Sequence, residues 1–214
     1  MVMTRLKNVL IVDDDPAIRG MLAFSLEGEG YSVIEASSRV EAISALKMHP
    51  ISIVLLDMGM PPHEYTPEEG IAVLEWLDTH LTEVKVLVLT GQDSEATSYE
   101  ALKHGAFDFL EKPVSSDALL SAVKRAFLFY EQAFKLKTQE GVQKVHIDAV
   151  LGSGVKSVRN QAEEKLIRQV LSDTDFNVHE AARRLDLKRE NVYYLIKKYG
   201  LQRDAETVFR ESSR

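Results

Sequence analysis

The sequence predicts an α/β fold, a doubly wound parallel sheet of five strands, followed by a small domain built only of helices. Two observations support the first part: five short apolar runs alternate with stretches of helical spacing over residues 1–125, and several of these runs are almost wholly apolar. Alternating strands and helices are typical of a parallel sheet with helices on both faces. A third observation, three amphipathic segments between residues 160 and 203, supports the helical domain.

The strands are predicted from runs rich in β-branched and apolar residues. The first, third and fourth runs contain almost no polar residue, which is typical of central strands that are buried on both faces. The five predicted strands are 9–12, 31–34, 51–56, 84–89 and 107–110.

A stretch with apolar residues at helical spacing follows each predicted strand, so we expect five helices. Their predicted inner faces are, in order, Ile18, Met21, Leu22, Ser25 and Leu26; Val40, Ile43, Ala45 and Leu46; Ile71, Val73, Leu74 and Leu77; Ala96, Tyr99, Ala101 and Leu102; and Leu119, Leu120, Val123, Ala126 and Phe127.

The fifth predicted helix continues beyond residue 125 as an aromatic-rich extension that fades near Gly141. The extension either packs on its own domain or buries its apolar face against a second copy of the chain. Residues 141–158 have no sustained period and are predicted to be a linker, so that 126–159 form a helical extension and linker between a first domain, 1–125, and the rear domain.

The rear domain, 160–203, is predicted to contain helices over 161–171, 178–185 and 189–199, followed by a tail over 204–214. Asn177 is a favourable N-cap, and Glu180 stands three residues later at capping-box spacing. Gly200 is the expected stop of the last helix. Because only residues 186–188 separate the last two helices, they indicate a helix-turn-helix.

Charge is distributed unevenly along the chain, whose net charge is −7. Residues 1–125 carry 10 Lys and Arg against 20 Asp and Glu, whereas 160–203 carry 9 against 7. An acidic front and a mildly basic rear indicate two domains with different partners.

Cysteine is absent from the sequence, which excludes disulfides and thiolate metal sites. No signal-peptide pattern and no apolar run of the ~18–20 residues needed for a membrane span are present. We therefore expect a soluble cytoplasmic protein without a membrane partner.

Polar side chains follow four of the predicted strands, at ends that share one edge of a parallel sheet. They are Asp13, Asp14 and Asp15 after the first strand, Asp57 after the third, Thr90 after the fourth and Lys112 after the fifth. Clustered carboxylates without Cys or His form a hard-oxygen site suited to Mg²⁺. An aspartate beside such an ion can act as a nucleophile toward phosphorus, with the hydroxyl and the ammonium group contacting the phosphoryl oxygens.

The ordered set "VDDD", "LLDMGMP", "VLT" and "EKP" resembles the receiver domain of two-component response regulators over about residues 6–125. The resemblance implies a flavodoxin-like (βα)5 fold and a Mg²⁺ site formed by Asp13, Asp14, Asp57 and the backbone carbonyl of Gly59. It also implies that a sensor histidine kinase phosphorylates Asp57. The matching functional residues are Lys112, the switch residues Thr90 and Phe109, and Pro113, whose bond to Lys112 is expected to be cis.

Several of these residues have simpler interpretations. Asp15 precedes Pro16, so we expect it to start a helix rather than to bind a metal. Phe109 could fill the core, and Asp93 is expected to be a helix-start charge.

The chain departs from the family pattern in the loop before Gly70, which is about five residues longer than usual. The simpler interpretation of this loop is a surface excursion. The alternative is a lid or partner contact formed by His63, Glu64 and Tyr65.

The rear segment, "NVHEAARRLDLKRENVYYLIKKYGL" with its preceding helix, resembles the Fis-type helix-turn-helix of nitrogen-regulatory response regulators over about 160–202. The resemblance implies a DNA-binding dimer whose last helix enters the major groove. The expected DNA contacts are Lys188, Arg189 and Asn191 at the helix start, Tyr194, and the phosphate contacts Lys197, Lys198, Arg183 and Arg184.

Glu190, Tyr193, Tyr194 and Leu195 stand where family members usually carry several basic residues. Tyr193 and Leu195 could instead be core or interface residues. This departure leaves open a phosphorylation-dependent adaptor whose last helices bind protein rather than DNA.

The segment that resembles a receiver domain and the segment that resembles a Fis-type helix-turn-helix lie too close together to enclose the ATPase domain of the nitrogen-regulatory class. The sequence "GSGVKS" at 152–157 lacks the glycine that precedes lysine in a phosphate-binding loop, so no ATP site is expected. We predict a homodimeric transcription regulator that takes part in its own phosphotransfer and dephosphorylation and is not otherwise an enzyme.

Overall fold

The computed structural model describes residues 7–63, 66–80, 83–91, 95–142, 145, 147, 152 and 154–203. Its elements are, in chain order, β1 (Asn8–Val12), α1 (Pro16–Glu27), β2 (Ser32–Ala36), α2 (Arg39–Met48), β3 (Ile53–Asp57), α3 (Glu68–His80), β4 (Lys85–Thr90), α4 (Glu95–Lys103), β5 (Asp108–Glu111), α5 (Ser116–Glu140), α6 (Val155–Asp173), α7 (Val178–Arg184) and α8 (Arg189–Tyr199). Within these described residues, none of the helices is both long and apolar enough to span a membrane.

The chain divides into two compact units between Val142 and Gln143. The domain boundary expected at residue 125 falls inside α5, because this helix runs on without a break to Glu140. The aromatic extension is thus continuous with the last helix of the first unit.

Five parallel strands form the sheet of the first unit, in the order β2-β1-β3-β4-β5. Val9 of β1 lies in register with Val33 of β2 and with Ile53 of β3. β2 lies on one side of β1, and β3, β4 and β5 extend the sheet on the other side. The prediction of a doubly wound parallel sheet is therefore confirmed.

Two apolar cores cover the two faces of the sheet, and neighbouring residues of each strand serve opposite cores. On one face, Leu10, Val54 and Val88 pack with the inner sides of α2 and α3. On the other face, Ile11 and Leu55 pack with α1 and α5. Burial on both faces explains why the central strands contain almost no polar residue.

Where the structure describes the side chains, the predicted inner faces of the helices are confirmed at most positions and wrong at four; the side chain of Ala96 lies outside that description. Met21, Val40, Tyr99 and Leu102 are exposed, although each has the spacing of a buried residue. Helical periodicity identifies an apolar stripe, whereas the width of the stripe that becomes buried depends on how much of the helix the sheet and its neighbours cover.

One side of the α5 extension packs on its own unit. The ring of Phe127 meets the edge of Tyr31 with centroids 6.5 Å apart, and the Lys7 ammonium lies 5.3 Å from the Tyr31 ring centroid. Near the end of the helix, Lys137 forms an ion pair with Glu83. These contacts favour the first alternative for this side of the extension, while Phe129 on another side remains exposed.

The end of α5 is sharp. Gly141 has a left-handed backbone with φ 66°, and the Val142 amide donates to the Leu136 carbonyl at 3.1 Å. Glycine adopts this conformation without the steric cost that a side chain would add, which is why the helical pattern fades here.

The second unit packs α6, α7 and α8 around one small core that includes Ile167, Leu171, Ala181 and Val192. Its first helix begins at Val155, six positions before the predicted start, whereas α7 and α8 start where the sequence predicts.

The caps of α7 and α8 follow the sequence prediction in part. The Asn177 Oδ1 atom accepts from the amides of His179 and Glu180, and Gly200 ends α8 with φ 60°. The capping box is only half formed, because the Glu180 carboxylate accepts hydrogen bonds from Arg183 and Arg184 instead of reaching back to Asn177.

Candidate functional site

Three carboxylates meet at the carboxyl edge of the sheet. Since Val12 and Leu56 are in register on neighbouring strands, the residues that follow them, Asp13 and Asp57, lie side by side. One oxygen from each of Asp13, Asp14 and Asp57 falls within 4.8 Å of the others. The Asp13 side chain is buried and that of Asp57 nearly so, whereas Asp14 is exposed.

Lys112, which follows β5, connects this cluster to the other edge of the sheet. Its Nζ donates to Asp13 Oδ2 at 2.7 Å and to Asp57 Oδ1 at 3.0 Å. Burial alone would lower the pKa of Lys112, but the hydrogen bond to Asp13 and the charge of Asp57 outweigh burial and raise it. The side chain is therefore held as an ammonium ion between two carboxylates, and its bond to Pro113 is cis as expected.

The cluster holds more negative charge than Lys112 balances. Burial raises the pKa of Asp57, and the charges of Asp13 and Asp14 raise it further, although Lys112 acts in the opposite direction. Three carboxylates facing one ammonium group form an all-oxygen donor set that fits a divalent cation such as Mg²⁺. Elsewhere in the described part of the chain, no group of three or more His, Cys, Asp and Glu comes this close together.

Asp15 has the helix-start role that the sequence predicts. Its side chain accepts from the Ala17 amide at 2.8 Å and caps α1, with Pro16 in the first helical position. Its own amide donates to Asp13 Oδ1 at 2.9 Å, which orients the buried carboxylate. Asp15 therefore supports the cluster through its backbone and does not join it.

Arg19 is a positioning residue that the sequence did not reveal. Its Nη1 donates to the carbonyls of Asp13 at 2.7 Å and Asp14 at 3.1 Å, and its Nε donates to Glu35 on β2 at 3.0 Å. These bonds fix the backbone turn that presents both carboxylates. The available signal was weak: Arg19 stands one helical turn after Asp15, and helical side chains point back toward the N-terminus.

The two expected switch residues lie on neighbouring strands. Thr90, at the end of β4, is buried, and its hydroxyl donates to the Leu110 carbonyl at 3.5 Å, the limit of hydrogen bonding. Phe109 on β5 is 46% exposed, which contradicts the core-filling interpretation of this residue. Neither side chain makes a recorded contact with the carboxylates in the described part of the structure.

The longer loop after β3 is anchored by Glu69, a buried carboxylate that no sequence motif marks. One Glu69 oxygen lies 3.3 Å from His63 Nδ1, and the other lies 3.1 Å from Arg39 Nε at the start of α2. Gly59 lies between Asp57 and this loop and is partly buried. Glu64 and Tyr65 lie outside the described residues, as does Asp93, so the role of the loop stays a prediction.

Gly70 permits a close approach between α3 and the segment after β3. A Cβ atom at this position would lie 2.6 Å from Met58 Sδ and 2.8 Å from Met58 Cα. Contacts of this length do not occur between non-bonded carbon atoms, so only glycine fits here. The delayed glycine thus lets α3 pack directly against the segment that follows β3, in spite of the longer loop.

The second candidate site is the outer surface of α8. Val192 and Leu195 are buried, so the core interpretation is confirmed for Leu195, while Tyr193 is exposed. The remaining predicted DNA contacts of this helix are all exposed: Lys188, Arg189, Asn191, Tyr194 and Lys197.

Three of the expected phosphate contacts are already paired with acids of their own unit. Arg183 and Arg184 both donate to Glu180, at 2.7 to 2.9 Å, and these bonds lower the pKa of Glu180 to about 2. Lys198 donates to Glu163 at 2.6 Å, an oxygen that also accepts from the Tyr199 hydroxyl. The basic surface of α7 and α8 is therefore smaller than the sequence suggests.

Residues 9–124 match the family model of the response regulator receiver domain. The chain belongs to the response regulator family. Residues 159–199 match a second model, described as bacterial regulatory protein, Fis family. The receiver domain is thus followed by a Fis-type helix-turn-helix, and the segment 125–158 between the two matches is too short to enclose an ATPase domain.

The similarity to known proteins covers either the first part of this chain or most of it. An NtrX-like response regulator of Rickettsia felis is 34% identical over 119 residues, 56% of this chain and 24% of that protein. The acid tolerance regulatory protein ActR of Rhizobium meliloti is 29% identical over 192 residues, 90% of this chain and 87% of that one. The chain thus spans about a quarter of the length of the NtrX-like relatives and most of the length of ActR.

Solved structures support the receiver fold directly. The CheY-like receiver domain protein of Methanospirillum hungatei JF-1 is 31% identical, with a TM-score of 0.55. The similarity covers 60% of this chain and 99% of that one. The confirmed flavodoxin-like fold is therefore that of the first unit.

Proposed function

We propose that this protein is a phosphorylation-controlled transcription regulator, in which a sensor histidine kinase phosphorylates Asp57 and the helix-turn-helix binds DNA. The observation that carries the proposal is the convergence of Asp13, Asp14, Asp57 and Lys112 in one crevice, with the Lys112 Nζ within 3.0 Å of Asp57. This arrangement combines a nucleophilic carboxylate, a fixed cation and a donor set for a divalent ion.

The residues of the chain have separate roles in the proposed transfer. An Asp57 carboxylate oxygen forms the new bond to phosphorus as the phosphorus–nitrogen bond of a phosphohistidine donor breaks, and the departing imidazole takes up a proton. Lys112 is placed to balance the charge of the added phosphoryl group. Mg²⁺, held by Asp13, Asp14, Asp57 and the Gly59 carbonyl, would neutralise charge on the transferring oxygens. We propose no reaction beyond this transfer and the later hydrolysis of the aspartyl phosphate, in which water attacks phosphorus, the Asp57 carboxylate leaves and inorganic phosphate is released.

Phosphorylation is proposed to act through Thr90 and Phe109. The Thr90 hydroxyl makes only a 3.5 Å hydrogen bond, so little is lost when it turns toward a phosphoryl oxygen. Phe109 is half-exposed and can move inward to occupy the space that Thr90 vacates. Tyr99 and Leu102 of α4 and Phe129 of α5 are also exposed, and a homodimer is proposed to form through these two helices.

The proposed output is sequence-specific DNA binding by α8 in the major groove. Lys188, Arg189 and Asn191 stand at the start of the helix, where contacts to base edges are made, with Tyr194 and Lys197 further along. ActR, a relative described as a regulatory protein, aligns with both units, which supports treating them as one regulator. A cytoplasmic location without a membrane partner follows from this proposal.

Phosphotransfer with Asp57→Asn tests the central claim. The full-length protein, the variant and the control Asp117→Asn, an exposed aspartate in the first turn of α5, are incubated with acetyl phosphate and Mg²⁺. Mass spectrometry is expected to show one added phosphoryl group on the wild type and on the control, and none on Asp57→Asn. Equal labelling of Asp57→Asn would refute the assignment of the phospho-acceptor.

The second candidate, an adaptor whose last helices bind protein, is favoured by the pairing of Arg183, Arg184 and Lys198 with acids and by the exposed Tyr193. Selection from random DNA by the full-length protein separates the two functions. A transcription regulator enriches a defined sequence and loses affinity as salt rises, whereas an adaptor enriches none.

A further inference from the structure

Glu190 is an acidic residue in the first turn of α8, on the surface proposed to face DNA. The helix begins at Arg189 and buries Val192 and Leu195, and Glu190 is exposed on the opposite side. Residues 190, 194 and 197 are spaced to share one stripe of the helix, so Glu190 lies in line with Tyr194 and Lys197.

The carboxylate of Glu190 has no recorded partner among the residues that the structure describes. Four other acids of the second unit do have one: Glu163 is paired with Lys198, Glu164 with Arg168, Asp175 with Arg203, and Glu180 with Arg183 and Arg184. Asp186, without a recorded partner, occupies a left-handed turn position with φ 52°, a conformation that aspartate tolerates.

An unpaired carboxylate on a surface that approaches phosphates weakens binding to every DNA sequence. It can nevertheless increase discrimination, because a carboxylate accepts a hydrogen bond from the N4 amino group of cytosine in the major groove and repels acceptor edges. The first turn of the second helix is the part of a helix-turn-helix that contacts base edges.

We propose that Glu190 is a specificity-determining residue that accepts a hydrogen bond from the amino group of a cytosine in each half-site. This inference rests on the proposed DNA-binding function and adds to it the base that one residue reads. The simpler alternative is that Glu190 only stabilises the start of α8, where a negative charge is favourable.

The test is selection from random DNA by the full-length protein, treated with beryllofluoride and Mg²⁺. The wild type is compared with Glu190→Gln, Glu190→Ala and the control Glu164→Gln, which removes the same charge from α6. We expect the wild type to prefer cytosine at one position of each half-site by at least about fivefold. Glu190→Ala is expected to lose this preference, and Glu190→Gln to shift it toward adenine, which glutamine can bind through two hydrogen bonds.

The control variant Glu164→Gln is expected to keep the wild-type motif. An unchanged motif in both Glu190 variants, with affinity raised equally for all sequences, would show that Glu190 only repels phosphates and would overturn the proposal. An unchanged motif with a lower melting temperature of the variants would overturn it in favour of the helix-start role. These two results leave DNA binding intact, whereas a wild-type protein that enriches no sequence overturns both this proposal and the DNA-binding part of the proposed function.

Discussion

At the end of β1, three neighbouring aspartates have three different environments. Asp13 is buried and bonded to Lys112, Asp14 is exposed and contributes one oxygen to the cluster, and Asp15 caps α1. A buried carboxylate is costly unless it is paired. Lys112 supplies that pairing for Asp13. The excess negative charge therefore lies on the solvent side of the cluster, where an ion or a phosphoryl donor can enter.

Replacing Gly70 by alanine tests the close approach of α3 to Met58 at the scale of one residue. The flexible Met58 side chain can move away from the new Cβ atom, but the Met58 Cα atom, 2.8 Å from it, cannot do so without shifting the backbone. We expect Gly70→Ala to lower the free energy of unfolding by about 1–3 kcal/mol, as overpacking does. Urea unfolding followed by the fluorescence of Trp76, the only tryptophan, measures the first unit directly.

Gly20→Ala is the matched control. Gly20 lies inside α1 with nothing within 4 Å of a new Cβ atom. Alanine at an exposed helix interior is favoured over glycine by roughly 0.5–1 kcal/mol, so this variant should be slightly stabilised. Equal changes in the free energy of unfolding for the two substitutions would show that the contact with Met58 does not determine the stability of the Gly70 variant.

Among the elements, α5 runs from the edge of the sheet that carries the acidic cluster to the opposite edge. It starts beside the loop that carries Lys112, crosses the sheet through Val123 and Ala126, and ends beyond Glu83. The Lys137–Glu83 ion pair is mostly shielded, with 22% of the Lys137 side chain and 16% of the Glu83 side chain exposed.

Removing one partner of this ion pair is expected to loosen the last turns of α5. Lys137→Met leaves the Glu83 carboxylate shielded without its cation, and we expect a loss of about 1–3 kcal/mol, less than for a fully buried pair. The control is Lys135→Met on the exposed side of the same helix, where a change within about 0.5 kcal/mol is expected. Trp76-monitored unfolding compares the two, and equal losses would argue against a stabilising role for the ion pair.

The acidic cluster could be predicted from the sequence because the order of strands and helices requires the carboxyl ends of parallel strands to share an edge. The cap at Asp15 and the helix end at Gly200 depend on neighbouring residues only, so they could be predicted from the sequence equally well. Arg19 and Glu69 could not be predicted, since their partners lie on other elements and depend on how those elements pack. The same holds for Lys198, whose partner Glu163 is 35 residues away in the chain.

At the scale of the whole molecule, the two units differ in how their charges are arranged. The first unit brings three carboxylates together at one edge of its sheet, while the helix-turn-helix pairs three of its four expected phosphate contacts with acids of its own unit. In the part of the second unit that the structure describes, Lys188, Arg189 and Lys197 form no ion pair with an acid.

The salt dependence of DNA binding should reflect this small number of available cations. In the described part of the second unit, Lys197 is the one expected phosphate contact that is not paired with an acid. One phosphate contact per copy predicts that log K falls with log salt concentration with a slope of about −2 for a dimer. Glu180→Gln releases Arg183 and Arg184, and we expect the slope to steepen by roughly 2 per copy. Binding measured between 50 and 200 mM salt checks both values, and a wild-type slope of about −7 would show that the paired cations also contact DNA.

The left-handed stop at Gly141 limits how a signal can leave the receiver domain. A helix that ends there cannot transmit a rotation as a continuous rod into α6, which starts only at Val155. Pairing of two receiver domains would instead act by raising the effective concentration of one helix-turn-helix near its partner's half-site. The response to phosphorylation would then be tuned by the length of the connecting chain and by the spacing of half-sites on the DNA, two quantities that can be varied without altering either unit.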